Sequence, residues 1–285
     1  MSEQPAPQEA PPVCPRHPDR VSYVRWQRCQ RPVCPACQRE AAVGVQCVDC
    51  VAQAAKTVRT GRTIFGGTLT DGRPSLTFGI IGVTALVYVL QMASREVIYW
   101  LGFAPSVALA EPWRFLTTAL VHGGLMHIAF NMYALYLIGQ FLEPALGRIR
   151  FAAFYLIGAL GGAVMILLLS FPVLGDWNRL TVGASGAVFA LFGALLVLQR
   201  RIGISNKGLY ILLAINAAIS FIVPNISWQG HLGGFVTGLL AGLVFSKLTV
   251  PGAPGRPADF SRHWLGLGAI AAALVVLAIG KLLLV

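Results

Sequence analysis

Beyond the first 75 residues, side chains able to move a proton or attack a carbonyl are few, and three clusters of them stand in otherwise apolar sequence. The first is His122-Gly-Gly-Leu-Met-His127-Ile-Ala-Phe-Asn131, the second Gly183-Ala-Ser185-Gly186-Ala-Val-Phe189, and the third Gly230-His231-Leu-Gly-Gly234-Phe-Val-Thr-Gly238. None contains Asp or Glu. A serine hydroxyl is a weak nucleophile at neutral pH, but a neutral imidazole about 3 Å away can take its proton and later return it to a leaving amine. Ser185 and His231 are the pair that chemistry needs. His127 and Asn131 are four residues apart and share a helix face. With the backbone N–H of Ser185 at a helix start, they are the donors available to an oxyanion. Phe189, one turn after Ser185, is placed to stack on the imidazole where a triad would use a carboxylate. His122, nearer the surface end of its span, reads as a substrate-gate contact or a loop cap.

Each residue alone has a plainer reading. A single serine in a membrane helix usually bonds to its own backbone, and Gly-rich helices usually mean tight packing. What separates the catalytic reading is the conjunction at one depth, with polar groups kept where an unpaired one is costly. The serine motif is not the Gly-x-Ser-x-Gly elbow of soluble hydrolases, because residue 187 is Ala and no strand precedes it. No His-Glu-x2-His motif occurs, which argues against a metalloprotease.

The elements that must position these groups are apolar. Hydrophobic residues make up 56% of the 285 and charged ones 12%, a balance rare in a water-soluble fold. Seven uncharged stretches approach or exceed the roughly 20 residues a helix needs to cross a bilayer. They are 76–93, 115–142, 151–175, 180–199, 208–223, 226–246 and 264–280, the fifth and sixth separated by Pro224-Asn225. The expected fold is an all-α polytopic membrane protein.

The first 75 residues contain nothing like a signal-peptide core, so this segment is expected in the cytosol. Seven spans from an inside N-terminus put 18 of the 22 Lys and Arg on the inner side and leave Arg95, Arg114, Arg179 and Lys281 outside. The expected location is the cell membrane, multi-pass, with a cytoplasmic N-terminus and an extracytoplasmic C-terminus. A basic inner face against anionic lipid accounts for the net charge of +11, so no nucleic-acid partner is expected. The three polar clusters fall on even-numbered spans running in one direction, and counting about 1.5 Å per residue from Leu180 and Ile226 puts Ser185 and His231 at similar depth.

All six cysteines lie between Cys14 and Cys50. With His17 they form Cys14-x2-His17, Cys29, Cys34-x2-Cys37 and Cys47-x2-Cys50, a spacing that reads as structural zinc. Reduced cytosolic thiols favour this over disulfides. A crossed pairing gives one full set from Cys14, His17, Cys34 and Cys37. Cys29, Cys47 and Cys50 lack a fourth donor, because Trp26 stands where one would fall. Either Asp19 or Asp49 substitutes, or one metal binds. Such closed sites leave no open position for catalysis.

From Trp113 to Gly242 the chain resembles the rhomboid family of intramembrane serine proteases. Trp113-Arg114 resembles the family's first outer loop, His122, His127 and Asn131 its second helix, Gly183 and Ser185 its nucleophile motif, and His231, Gly234 and Gly238 its base helix. The resemblance implies a six-helix bundle plus one C-terminal helix, a Ser185-His231 dyad, an oxyanion site at His127 and Asn131, and cleavage of single-span membrane proteins near the outer face. A catalytically inactive rhomboid-like binding or quality-control factor is the alternative. The cysteine-rich head looks like that of actinobacterial members, where Cys would replace Trp26, and Phe189 stands where some bacterial members have tyrosine. The division expected is a disordered tail at 1–13, a zinc-ribbon-like domain at 14–52, a linker at 53–75, the six-helix core at 76–248, a cytosolic linker at 249–263 and the seventh membrane helix at 264–285.

Overall fold

A computed structural model of the chain describes residues 10–57, 61–68, 73–223, 226–250 and 258–285. The chain divides into two units at residues 60 and 61. The first is small. Strands β1 (Val13–Cys14) and β2 (His17–Val21) pair antiparallel, with Cys14 opposite His17. A 3-10 turn at Pro35–Cys37 leads into β3 (Gln38–Glu40), which pairs with β4 (Val45–Cys47), and helix α1 (Val48–Thr57) follows. The buried side chains of this unit are largely its cysteines, Cys14, Cys34, Cys37 and Cys47. Helix α1 runs past the expected boundary at 52, and most of the 1–13 tail lies outside the described residues.

The second unit is helical: α2 (Ser75–Ala93), α3 (Glu96–Leu101), α4 (Arg114–Thr117), α5 (Leu125–Leu146), α6 (Arg148–Leu169), α7 (Ser185–Arg201), α8 (Lys207–Ile222), α9 (Trp228–Lys247) and α10 (Ser261–Leu284). Four of them, α2, α5, α6 and α10, are long and apolar enough to cross a membrane by length and composition alone. Each of the seven expected spans overlaps a helix, but α7 and α8 have only 17 and 16 residues, and α9 carries Gln229, His231 and five glycines. The Pro224-Asn225 break lies outside the described residues.

Packing follows residue size. Inward faces of α6, α7 and α9 are lined with Gly and Ala, so their backbones approach closely, the usual way membrane helices associate. At Gly234 an added Cβ would fall 1.9 Å from the carbonyl oxygen of Gly186, so only glycine permits that crossing of α7 and α9. Large apolar side chains point outward instead, among them Leu86, Ile211 and Leu265, as expected of a lipid-facing surface. Residues 61–68, expected as linker, hold onto α5: the Thr63 hydroxyl and the Gly67 N–H both donate to the Ala145 carbonyl.

Two span boundaries differ from expectation, both next to the polar clusters. The apolar run 115–142 is not one helix, because α4 and a 3-10 turn at Thr118–Leu120 precede Gly123-Gly124, where α5 starts. His122 therefore sits in the loop before the helix rather than on it. The run 180–199 likewise becomes helical only at Ser185, and Thr181 instead exchanges both backbone hydrogen bonds with Phe103. Counting helical rise from Leu180 thus misjudges the depth of Ser185, since extended chain advances more than twice as far per residue.

Candidate active site

Gly183 begins the construction. Its φ of +127° is a conformation that side chains rarely adopt, and its N–H donates to the Thr118 carbonyl at 3.0 Å. A Cβ there would lie 2.6 Å from Cε1 and 2.7 Å from Nε2 of His127, so this imidazole rests against the loop that presents Ser185. The next N–H, of Ala184, donates to Nε2 of His122 at 3.3 Å. Two loop amides are therefore occupied. Ser185 is the first residue of α7, where N–H groups have no intrahelical acceptor, which leaves its N–H as a candidate donor. Its hydroxyl makes no hydrogen bond among the described residues.

His122 is fully buried at 0% exposure. Its backbone is clamped by Gln91, whose amide nitrogen donates to the His122 carbonyl and whose oxygen accepts the His122 N–H at 3.0 Å. A gate contact does not fit this position. The residue ties the serine loop to α2.

His127 accepts a long hydrogen bond, 3.4 Å, from the Gly123 N–H at Nδ1. In a neutral ring that arrangement leaves the proton on Nε2, the nitrogen beside Gly183. The Asn131 amide donates back to the His127 carbonyl at 2.9 Å, which leaves its second N–H available.

On α9, the His231 ring lies flat on Phe189, with centroids 4.1 Å apart and planes 11° from parallel. Gly186, which follows Ser185, packs against the backbone of Gly230 and Gly234 on either side of His231. The crossing thus gathers Ser185, Phe189, His231 and His127 at one end of α7. One partner was absent from the sequence reading: the Ser220 hydroxyl on α8 lies 2.7 Å from His231 Nδ1. Nothing distinguished it in advance, since an isolated serine in an apolar run reads as backbone-bonded.

Trp113 and Arg114 build the neighbouring loop. Arg114 pairs with Glu111 and donates to the carbonyls of Tyr99 and Gly102, and Trp113 Nε1 donates to the Trp100 carbonyl at 3.2 Å. Glu111 was also missed, although its spacing three before Arg114 is the available signal.

In the small unit, the ligand atoms of Cys14, His17, Cys34 and Cys37 lie within 4.8 Å of one another, and those of Cys29, Cys47 and Cys50 form a second such group. His17 Nδ1 is 3.3 Å from the sulfurs of Cys34 and Cys37 and 4.0 Å from that of Cys14. Zn–S near 2.3 Å and Zn–N near 2.0 Å in a tetrahedron imply ligand edges of roughly 3.5 to 3.8 Å, so four soft donors at this spacing fit a metal ion. The Cys34 backbone N–H, with lesser help from Arg16 and His17, draws the Cys14 thiol down to about 6, toward the thiolate a metal requires. Neither suggested substitute completes the second group. The Asp49 carboxylate lies 3.9 Å from the Cys47 sulfur but outside the cluster of ligand atoms, and it is engaged by Arg16 at 2.6 Å and Arg31 at 3.7 Å; Asp19 is exposed beside Arg20.

The Rhomboid domain family matches residues 109–248, which contain all three polar clusters. YdcA, a rhomboid relative from Bacillus subtilis (strain 168), is 34% identical over 177 residues covering 59% of this chain and 86% of its own length. The chain belongs to the rhomboid family. The rhomboid protease GluP of the same organism is 30% identical over 60% of the chain, and RHOMBOID-like protein 1 of Arabidopsis thaliana is 38% identical over 47%. The chain spans 35% of the length of each of these two relatives. As a rhomboid it is an integral multi-pass membrane protein of an intramembrane protease family, preceded by a small Cys/His unit compatible with metal binding.

Proposed function

We propose that this rhomboid is an active serine endopeptidase that cleaves single-span membrane proteins near the extracytoplasmic face, with Ser185 as nucleophile and His231 as general base. The observation that carries this reading is the His231 imidazole stacked on Phe189, four residues after Ser185, at the glycine-lined crossing of α7 and α9. His231 Nε2 takes the hydroxyl proton as Oγ adds to the carbonyl carbon, and returns it to the amine as the peptide bond breaks. The oxyanion is met by the Ser185 N–H, His127 Nε2–H and the Asn131 amide. Water then takes the place of the departed amine, gives a proton to His231 Nε2 as it adds to the acyl carbon, and Ser185 Oγ takes that proton back as the ester bond breaks. Substrate reaches the site from the lipid and unwinds locally, so helices weakened by Gly or Pro are preferred.

Orientation follows the positive-inside bias, with the N-terminus cytoplasmic in the cell membrane. The Cys14, His17, Cys34 and Cys37 group holds a structural zinc ion, and Cys29, Cys47 and Cys50 hold a second only with a donor from outside the group.

The test is cleavage of a generic single-span reporter in detergent. Wild type is expected to cut it, and Ser185→Ala and His231→Ala to leave it intact while retaining the wild-type thermal midpoint. Reporter cleavage by folded Ser185→Ala refutes the assignment. An inactive wild type that still binds the reporter supports the non-catalytic alternative.

A further inference from the structure

Helix α8 contributes one buried residue to the bundle, and that residue is a serine. Its neighbours on the helix, Ile211, Ile215, Ile219, Phe221 and Ile222, are exposed. The Ser220 oxygen is 2.7 Å from the Asn216 carbonyl, one turn back, and 2.7 Å from His231 Nδ1. A carbonyl can only accept, so the single hydroxyl proton of Ser220 goes to Asn216. The contact with Nδ1 then requires the imidazole to be the donor. This chain of bonds places the His231 proton on Nδ1 and the lone pair on Nε2. The ring has two orientational constraints, Phe189 against its face and Ser220 at its edge.

We propose that Ser220 is a positioning residue for His231, holding the imidazole in the tautomer whose Nε2 is unprotonated and so available to the Ser185 hydroxyl. It does without charge what a carboxylate does in a triad: it accepts from Nδ1 and fixes the ring. When Nε2 takes the Ser185 proton, the Nδ1–H bond to the Ser220 oxygen is kept and shares the imidazolium charge. The proton count at Ser220 does not change during the cycle. Because α8 presents little else to the bundle, a helix with a single buried side chain supplies the orienting contact of the base.

This inference rests on the Ser185-His231 reading, and the experiment separates the two. Full-length protein in detergent, labelled with 15N-histidine, is measured for imidazole tautomer, with His231 assigned from the signal lost in His231→Ala. Reporter cleavage is measured on the same samples. Wild type is expected to show protonated Nδ1 and bare Nε2 at His231. Ser220→Ala and Ser220→Val are expected to lose that single tautomer and to lower kcat roughly ten- to a hundred-fold, part of the full range for general-base catalysis, with KM unchanged. Ser220→Thr, which keeps the hydroxyl and matches valine in shape, is expected to restore both. Comparing Thr with Val at equal thermal midpoint isolates the hydroxyl from packing. Wild-type kcat and tautomer in Ser220→Val, or equal loss in Thr and Val, overturns the proposal. Undiminished cleavage by His231→Ala instead overturns the dyad on which it stands.

Discussion

At the level of single residues, the site depends on neutral groups alone. Among the described residues no carboxylate touches His231, and its ring is held by an aromatic face and a hydroxyl. Stacking of this kind contributes about 0.5–1.5 kcal/mol beyond burial, which is up to about tenfold in rate if spent on orientation. Phe189→Leu, which retains bulk but not planarity, is therefore expected to reduce kcat by about that factor, whereas Phe189→Tyr keeps the wild-type rate. Reporter kinetics in detergent checks both. Equal rates in all three proteins would mean that the stack does not orient the base. Gly183 was legible in the sequence as a neighbour of Ser185, but its reason appears only in the fold, where positive φ and the adjacent His127 ring leave no room for a side chain.

At the level of elements, the glycine-lined crossing sets how far apart the hydroxyl and imidazole lie. Gly234→Ala places a methyl against the Gly186 carbonyl and must separate α7 from α9, at about 1–3 kcal/mol. We expect a lower thermal midpoint together with lost cleavage, while Gly268→Ala on α10, which meets nothing within 4 Å, leaves both unchanged. A second element-scale contact is Glu143, 2% exposed, whose carboxylate accepts from the N–H groups of Leu76 and Thr77 and from the Thr77 hydroxyl at the start of α2. Glu143→Ala strands these donors and is expected to destabilise the bundle by about 3 kcal/mol, read as a fall in thermal midpoint larger than that of Glu143→Gln. Where the helices lie was readable from uncharged apolar runs, and Ser185, His231, His127 and Phe189 from their types and spacing. Where helices begin was not. Hydropathy cannot tell the extended apolar strand at Leu180-Thr181 from a helix, nor see that Gly123-Gly124 starts α5. Ser220 was hidden because its role comes from a partner on another helix.

At the level of the whole molecule, two units of different physics share one chain. The first buries few apolar side chains besides its cysteines, so under the zinc proposal the metal supplies most of its folding free energy. Chelation or Cys34→Ser is expected to unfold residues 14–50 while leaving reporter cleavage by the membrane unit near wild type, measured by circular dichroism and kinetics on the same sample; lost cleavage would mean the head controls the protease. The claim underlying all of this is that the Ser185 oxygen is the nucleophile and depends on His231 for its reactivity. The most direct measurement is labelling of the full-length protein by a fluorophosphonate probe, read by intact mass and peptide mapping. A single adduct on Ser185, absent from Ser185→Ala and strongly diminished in His231→Ala, is the predicted result. An adduct on another residue, or labelling of Ser185 at the wild-type rate without His231, would contradict it.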